Sequence, residues 1–145
     1  MSINSDLVAL RAVPLFSSLT DVDLNLVAFV SSLNRFRVGE TLITIGEEGT
    51  CAYVILSGEV RILLPGSEEE ERMAIRGSGA VVGEIALLCD VPRTATVKAL
   101  NDVEALRIEQ SEFLTLLHDR PAIAVELCKS LAMKLETYTS PPSPA

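Results

Sequence analysis

The stretch from Arg35 to about Ile108 leaves few folds open, because its apolar residues come in short runs that turn residues keep interrupting. Runs rich in Val, Ile, Leu and Thr fall at Thr41 to Ile45, Ala52 to Leu56, Glu59 to Leu64, Met73 to Ile75, Ala95 to Leu100 and Val103 to Ile108. Between them lie Gly39, Gly46 with Gly49, Gly58, Pro65-Gly66, Gly77 with Gly79, and Asn101-Asp102. Short β-rich runs in regular alternation with turns predict a barrel or a sandwich. The acidic run Glu68 to Glu71 follows Pro65-Gly66 and reads as a solvated hairpin tip.

Helical texture flanks this segment on both sides. Thr20 is placed to cap a helix, with Asp23 near its positive end. Val22, Leu26, Phe29, Val30 and Leu33 then recur at helical spacing and predict one apolar face. Pro14 keeps the apolar turn Val13 to Phe16 from joining a longer helix. After Ile108, Phe113, Leu116 and Leu117 form a short face, and Pro121 suits the first turn of a last helix. Ile123, Leu127, Leu131, Leu135 and Tyr138 follow at helical spacing along it, a stripe expected to serve as core or interface. The expected organisation is a single domain over residues 1–139, helical over 1–34, β-rich over 35–108 and helical again over 109–139. The Pro-rich residues 140–145 read as a disordered tail or linker.

Charge and cysteine usage exclude several functions. The formal net charge is −8, which repels phosphate backbones and argues against direct contact with nucleic acid. It also repels small anions at long range, so any anion site has to be built locally from a placed Arg and backbone N–H groups. Cys51, Cys89 and Cys128 have no CxxC spacing and an odd count, so they are read as reduced packing residues in a cytoplasmic protein. No stretch approaches the roughly 18 to 20 apolar residues of a membrane span. The first residues lack the basic and apolar regions of a signal peptide. His118 is the one histidine, too few for a multi-histidine metal site and with no partner pattern for nucleophilic catalysis. Neither a catalytic residue nor a metal ligand is assigned.

The chemistry gathers between Gly83 and Val97. Gly83-Glu84-Ile85-Ala86-Leu87-Leu88 is a helix-forming run inside a strand region, and a helical turn there exposes N–H groups at its start. Ala86 is small enough for a ligand to approach the backbone. Arg93 supplies a fork suited to two phosphate oxygens, and Glu84 a carboxylate that accepts from a sugar hydroxyl. One Arg, one Glu and a helix start suit a ribose phosphate better than a bare phosphate.

This segment resembles the phosphate-binding cassette of cyclic-nucleotide-binding domains, found in regulatory subunits of cyclic-nucleotide-dependent kinases, in gated channels and in catabolite-activator-type regulators. The family pattern F-G-E-x-A-L-x-x-x-x-P-R-x-A-x-V is met by Gly83, Glu84, Ala86, Leu87, Pro92, Arg93, Ala95 and Val97, with Val82 standing where Phe is common. Gly46 to Gly49 and Tyr53 to Val60 are similar to the family's glycine turn and following strand pair, and the likeness runs over about residues 13 to 135. The resemblance implies a jelly-roll (double-stranded β-helix) barrel with N-terminal helices and two C-terminal helices. It implies a sensor that binds cAMP, cGMP or both, without catalysis and without a cofactor. Arg93 would pair with the exocyclic phosphate oxygens and Glu84 with the ribose 2′-hydroxyl. Ala86, Thr94 and Ala95 would complete the cradle, with Gly83 and Ile85 at its start. Thr94 is compatible with either base. Leu127, Leu131, Lys134 and Leu135 are the candidates for capping the base from the last helix, which would also serve self-association or an effector domain. Two alternatives are a degenerate, non-binding interaction module and the sensor half of a Crp/Fnr-type transcription regulator.

Overall fold

A computed structural model describes residues 3–64 and 73–139. Both Glu68 to Glu71 and the tail 140–145 lie outside the described residues. The chain begins with α1 (Ile3–Ala12), a 3-10 turn at Pro14–Phe16 and α2 (Asp21–Phe29). Among the described residues eight strands follow: β1 (Ser31–Phe36), β2 (Thr41–Ile43), β3 (Cys51–Ser57), β4 (Val60–Leu63), β5 (Met73–Arg76), β6 (Val81–Val82), β7 (Thr96–Ala99) and β8 (Val103–Glu109). A 3-10 turn, Glu84–Leu87, separates β6 from β7, and α3 (Gln110–Asp119) and α4 (Pro121–Thr139) come after β8.

The strands form two four-stranded antiparallel sheets, ordered β1-β8-β3-β6 and β2-β7-β4-β5. This is the mainly β architecture with flanking helices expected from the jelly-roll resemblance. Strands β3 and β8 explain why it holds together. Side chains alternate across a strand, and here both faces are covered. Ala52, Val54, Leu106 and Ile108 face a core built with the helices, in which Phe16 and Phe113 lie with ring centroids 5.9 Å apart. Cys51, Tyr53, Ile55, Val103 and Ala105 face the other way, into a core shared with Ile43, Val60, Val97 and Ala99 of the opposite sheet. A strand buried on both faces reads as a continuous apolar run, which is why Ala52 to Leu56 shows no polar alternation.

Three expectations need correction. The predicted face of α2 is rotated: Leu24 and Val27 are buried, whereas Val22 and Phe29 are 61% and 87% exposed. The cause is Asp23, buried on the inner face and ion-paired to Arg120 at 2.7 Å, a charged anchor that hydrophobic periodicity ignores. Leu33 belongs to β1, which starts at Ser31 because α2 ends at Phe29. Cys89 and Cys128 are exposed, so only Cys51 packs. The last-helix stripe divides as well: Ile123 and Leu127 are core, while Leu131 and Leu135 are 38% and 64% exposed. No helix among the described residues is long and apolar enough to cross a membrane.

Thr20 caps α2 as expected, its hydroxyl oxygen accepting from the Asp23 N–H at 3.2 Å. Thr20→Ala removes that acceptor, and the expected loss is about 1 kcal/mol of folding stability, read as a lower midpoint in urea with an unchanged slope.

Candidate functional site

A cavity of about 330 Å³ opens between the second sheet and the Gly83 to Ala95 segment, within the range of small-molecule sites. Its lining includes Gly83, Glu84, Ile85, Ala86, Arg93, Thr94 and Ala95, together with apolar Ile43, Ile62 and Val97. Every residue predicted to hold the sugar and phosphate therefore reaches one cavity.

Local geometry explains how. β6 pairs with β3 for only two residues. Gly83 then takes a left-handed conformation, φ 75°, and turns the chain into Glu84–Leu87. Ala86 and Leu87 are buried beneath this turn and pin it to the core. The second half of the segment is stitched to the loop before β3. Arg93 N–H donates to Glu47 O at 2.7 Å, Gly46 N–H to Arg93 O at 3.0 Å, and Gly49 N–H to Val91 O at 3.0 Å. A Cβ on Gly49 would stand 3.0 Å from Ala86 Cβ and 3.1 Å from Val91 O, so the loop packs tightly on the turn at two small residues. The glycine turn noted in the sequence thus braces the Gly83 to Ala95 segment.

Arg93 is held from behind. Its Nη2 donates to the Cys51 carbonyl at 2.6 Å and lies 3.5 Å from Cys51 Sγ. A Cβ added at Gly83 would collide with its Nη1. Sequence reasoning missed the Cys51 anchor, since a backbone carbonyl leaves no trace in residue type. Burial, with the Cys51 thiol beside it, pushes the neighbouring Tyr53 phenol above its usual range, so Tyr53 stays neutral near Arg107 and Arg93.

Glu84 offers the complementary group. Its Oε2 is buried with no hydrogen-bond partner among the described residues, and its Oε1 lies 4.0 Å from Lys134 Nζ of α4. A buried carboxylate oxygen without a donor is costly, and such exceptions call for an explanation. The Ala86 N–H donates to Gly83 O at 3.1 Å. To cradle a phosphate it has to share that bond, a three-centre arrangement common at helix ends. Thr94 is exposed at the cavity rim rather than packed in a sheet. Of the capping candidates, Lys134 reaches the cavity wall, and Leu131 and Leu135 lie on exposed parts of α4. Leu127 is 2% exposed within the helix-side core, so a capping role for it would require α4 to leave that core.

Two antiparallel sheets thus frame a cavity lined by an anchored guanidinium and a carboxylate, the arrangement of a small-ligand-binding domain. The chain belongs to the cyclic nucleotide-binding domain family, whose model matches residues 33–120. It is 35% identical over 108 residues to the cAMP-dependent protein kinase regulatory subunit of Emericella nidulans, covering 74% of this chain and 26% of that one. Its fold is similar to the N-terminal domain of a transcriptional regulator from Streptomyces coelicolor A3(2), with TM-score 0.86 and 30% identity over 94% of this chain and 99% of that one. It is also similar to the regulatory domain of Toxoplasma gondii PKA crystallised with cAMP, with TM-score 0.69 and 30% identity over 78% and 43% of the two chains. The chain spans 27%, 59% and 26% of the length of three curated relatives. The family is one of regulatory ligand-binding domains.

Proposed function

We propose that this chain is a sensor module that binds cAMP, cGMP or both, and passes occupancy on through α4. The observation that carries this reading is that Arg93 and Glu84 line one cavity, and that Glu84 carries a buried Oε2 with no hydrogen-bond partner among the described residues. A cyclic phosphate has two exocyclic oxygens for the fork and a sugar hydroxyl for the carboxylate, so it satisfies both. Ile85, Ala86, Thr94 and Ala95 complete the contact surface, and Ile62 and Leu64 give the base an apolar wall. The residues bind and orient; no bond is made or broken, and no cofactor or metal takes part. Residues 1–139 act as one module, in the cytoplasm, with the outer face of α4 serving a second copy or an effector domain. A second reading, the sensor portion of a transcriptional regulator, is favoured by the likeness to the Streptomyces coelicolor domain over 99% of its length.

The ribose contact is tested with cAMP and its 2′-deoxy analogue. Wild type is expected to bind the deoxy analogue about 10-fold more weakly, the loss of one hydrogen bond to a charged group. Glu84→Gln should weaken cAMP and shrink the difference between the two ligands. An equal affinity of wild type for both would remove Glu84 from the sugar.

Thr94 lines the rim with an exposed hydroxyl. Thr94→Ala is expected to weaken cGMP by about 5-fold, one neutral hydrogen bond, and leave cAMP within about 2-fold. Calorimetric titration with both nucleotides reads this directly, and a parallel loss for both would assign Thr94 to the phosphate instead.

A further inference from the structure

The two oxygens of Glu84 do different things. Oε2 is buried without a partner, while Oε1 lies 4.0 Å from Lys134 Nζ, the two side chains being 35% and 39% exposed. Lys134 stands on the second half of α4. The first half of that helix is fixed by burial of Ile123 and Leu127, and Ser130 Oγ lies 3.2 Å from Ser18 Oγ. Past Ser130 the helix rises out of the core, with Leu131 and Leu135 on exposed ground. There it meets the cavity wall at the carboxylate that the sugar reading assigns to the ligand.

We propose that Lys134 is a positioning residue that ties the second half of α4 to Glu84, so that one carboxylate holds both the helix and the ligand's sugar. The proposal rests on the reading that Oε2 takes a sugar hydroxyl. Because the two contacts use different oxygens, a hydroxyl at Oε2 does not displace the ammonium at Oε1. A bound nucleotide also excludes water from around the carboxylate and brings a phosphate charge into the same cavity. Lower local dielectric and added negative charge both strengthen the pull on Nζ. Occupancy therefore tightens α4 rather than releasing it. Coupling of this kind is reciprocal: what Lys134 adds to ligand affinity must reappear as ligand-dependent ordering of α4.

The pair is partly exposed, so its effect is modest. Lys134→Ala and Lys134→Gln are expected to bind cAMP or cGMP about 2- to 5-fold more weakly than wild type, and Lys134→Arg to stay within about 2-fold. Hydrogen exchange supplies a readout that mere structural support would not move. Ligand should slow exchange of amides 131–136 in wild type and Lys134→Arg, and much less in Lys134→Ala. Without ligand, Lys134→Ala should exchange faster there than wild type. Unchanged affinity together with unchanged ligand protection in Lys134→Ala overturns the tie. Tighter binding in Lys134→Ala also overturns it, since the lysine would then be a competitor. If wild type binds neither nucleotide, the reading of the cavity fails, and the ligand-free exchange comparison alone decides whether Lys134 holds α4.

Discussion

Arg93→Ala is expected to cost at least about 100-fold in cyclic nucleotide affinity while the protein remains folded. Two charge-assisted hydrogen bonds to phosphate oxygens are lost, each worth roughly 1.5–3 kcal/mol, and every 1.4 kcal/mol is a factor of ten. The protein's net charge of −8 makes the effect harsher, because an anion in this cavity has no other attraction at long range. Folding should suffer much less. The side chain's recorded hydrogen bonds run to the carbonyl and sulfur of Cys51, and leaving that carbonyl to water costs about 1 kcal/mol. Arg93→Lys separates charge from geometry. It keeps the cation and loses the fork, so it should recover part of the affinity but not all of it. Titration beside thermal melting reads both quantities. A melting loss that matched the binding loss would make Arg93 a structural residue instead.

Gly83→Ala should weaken binding almost as much, with Arg93 still in place. Two separate effects act there. Gly83 has φ 75°, and a side chain in the left-handed region costs about 1–2 kcal/mol. The added Cβ would also collide with Arg93 Nη1 and press on Ile43 Cδ1 at 3.2 Å. The guanidinium must then swing off the phosphate position, and a displacement of that size is enough to break a bidentate pair. Gly39 provides the control. It has φ 85°, but a Cβ there meets nothing within 4 Å. Gly39→Ala is expected to lose similar stability by the same backbone strain and to keep full affinity. Should both variants lose affinity in proportion to stability, the close approach at Gly83 would have no part in binding.

What the sequence made legible follows from how local each signal is. Strands β3, β4, β7 and β8 sit within a residue or two of their expected runs, since Gly58 separates β3 from β4 and Asn101-Asp102 separates β7 from β8. β6 went unread because two residues carry no period, and its assignment depends on pairing with distant Tyr53 and Val54. The α2 face was misread because a buried ion pair between Asp23 and Arg120, far apart in sequence, sets its rotation. The candidate segment was readable residue by residue, for its cavity-lining residues fall within one short stretch. Its supports were not. The Cys51 carbonyl that anchors Arg93, the close packing of Gly49 on Ala86 and the approach of Lys134 to Glu84 all come from elsewhere in the chain. Spacing along the last helix had no means to tell that Leu127 is buried while Lys134 approaches Glu84.

Calorimetric titration of wild type with cAMP, with cGMP and with adenosine tests most directly whether the cavity lined by Glu84 and Arg93 holds a cyclic nucleotide. One molecule of at least one cyclic nucleotide should bind per chain with micromolar or tighter affinity, on the order of −8 kcal/mol. Adenosine, which lacks the phosphate, should show no comparable heat. No binding of either cyclic nucleotide at high micromolar ligand, or equal binding of adenosine, would contradict it.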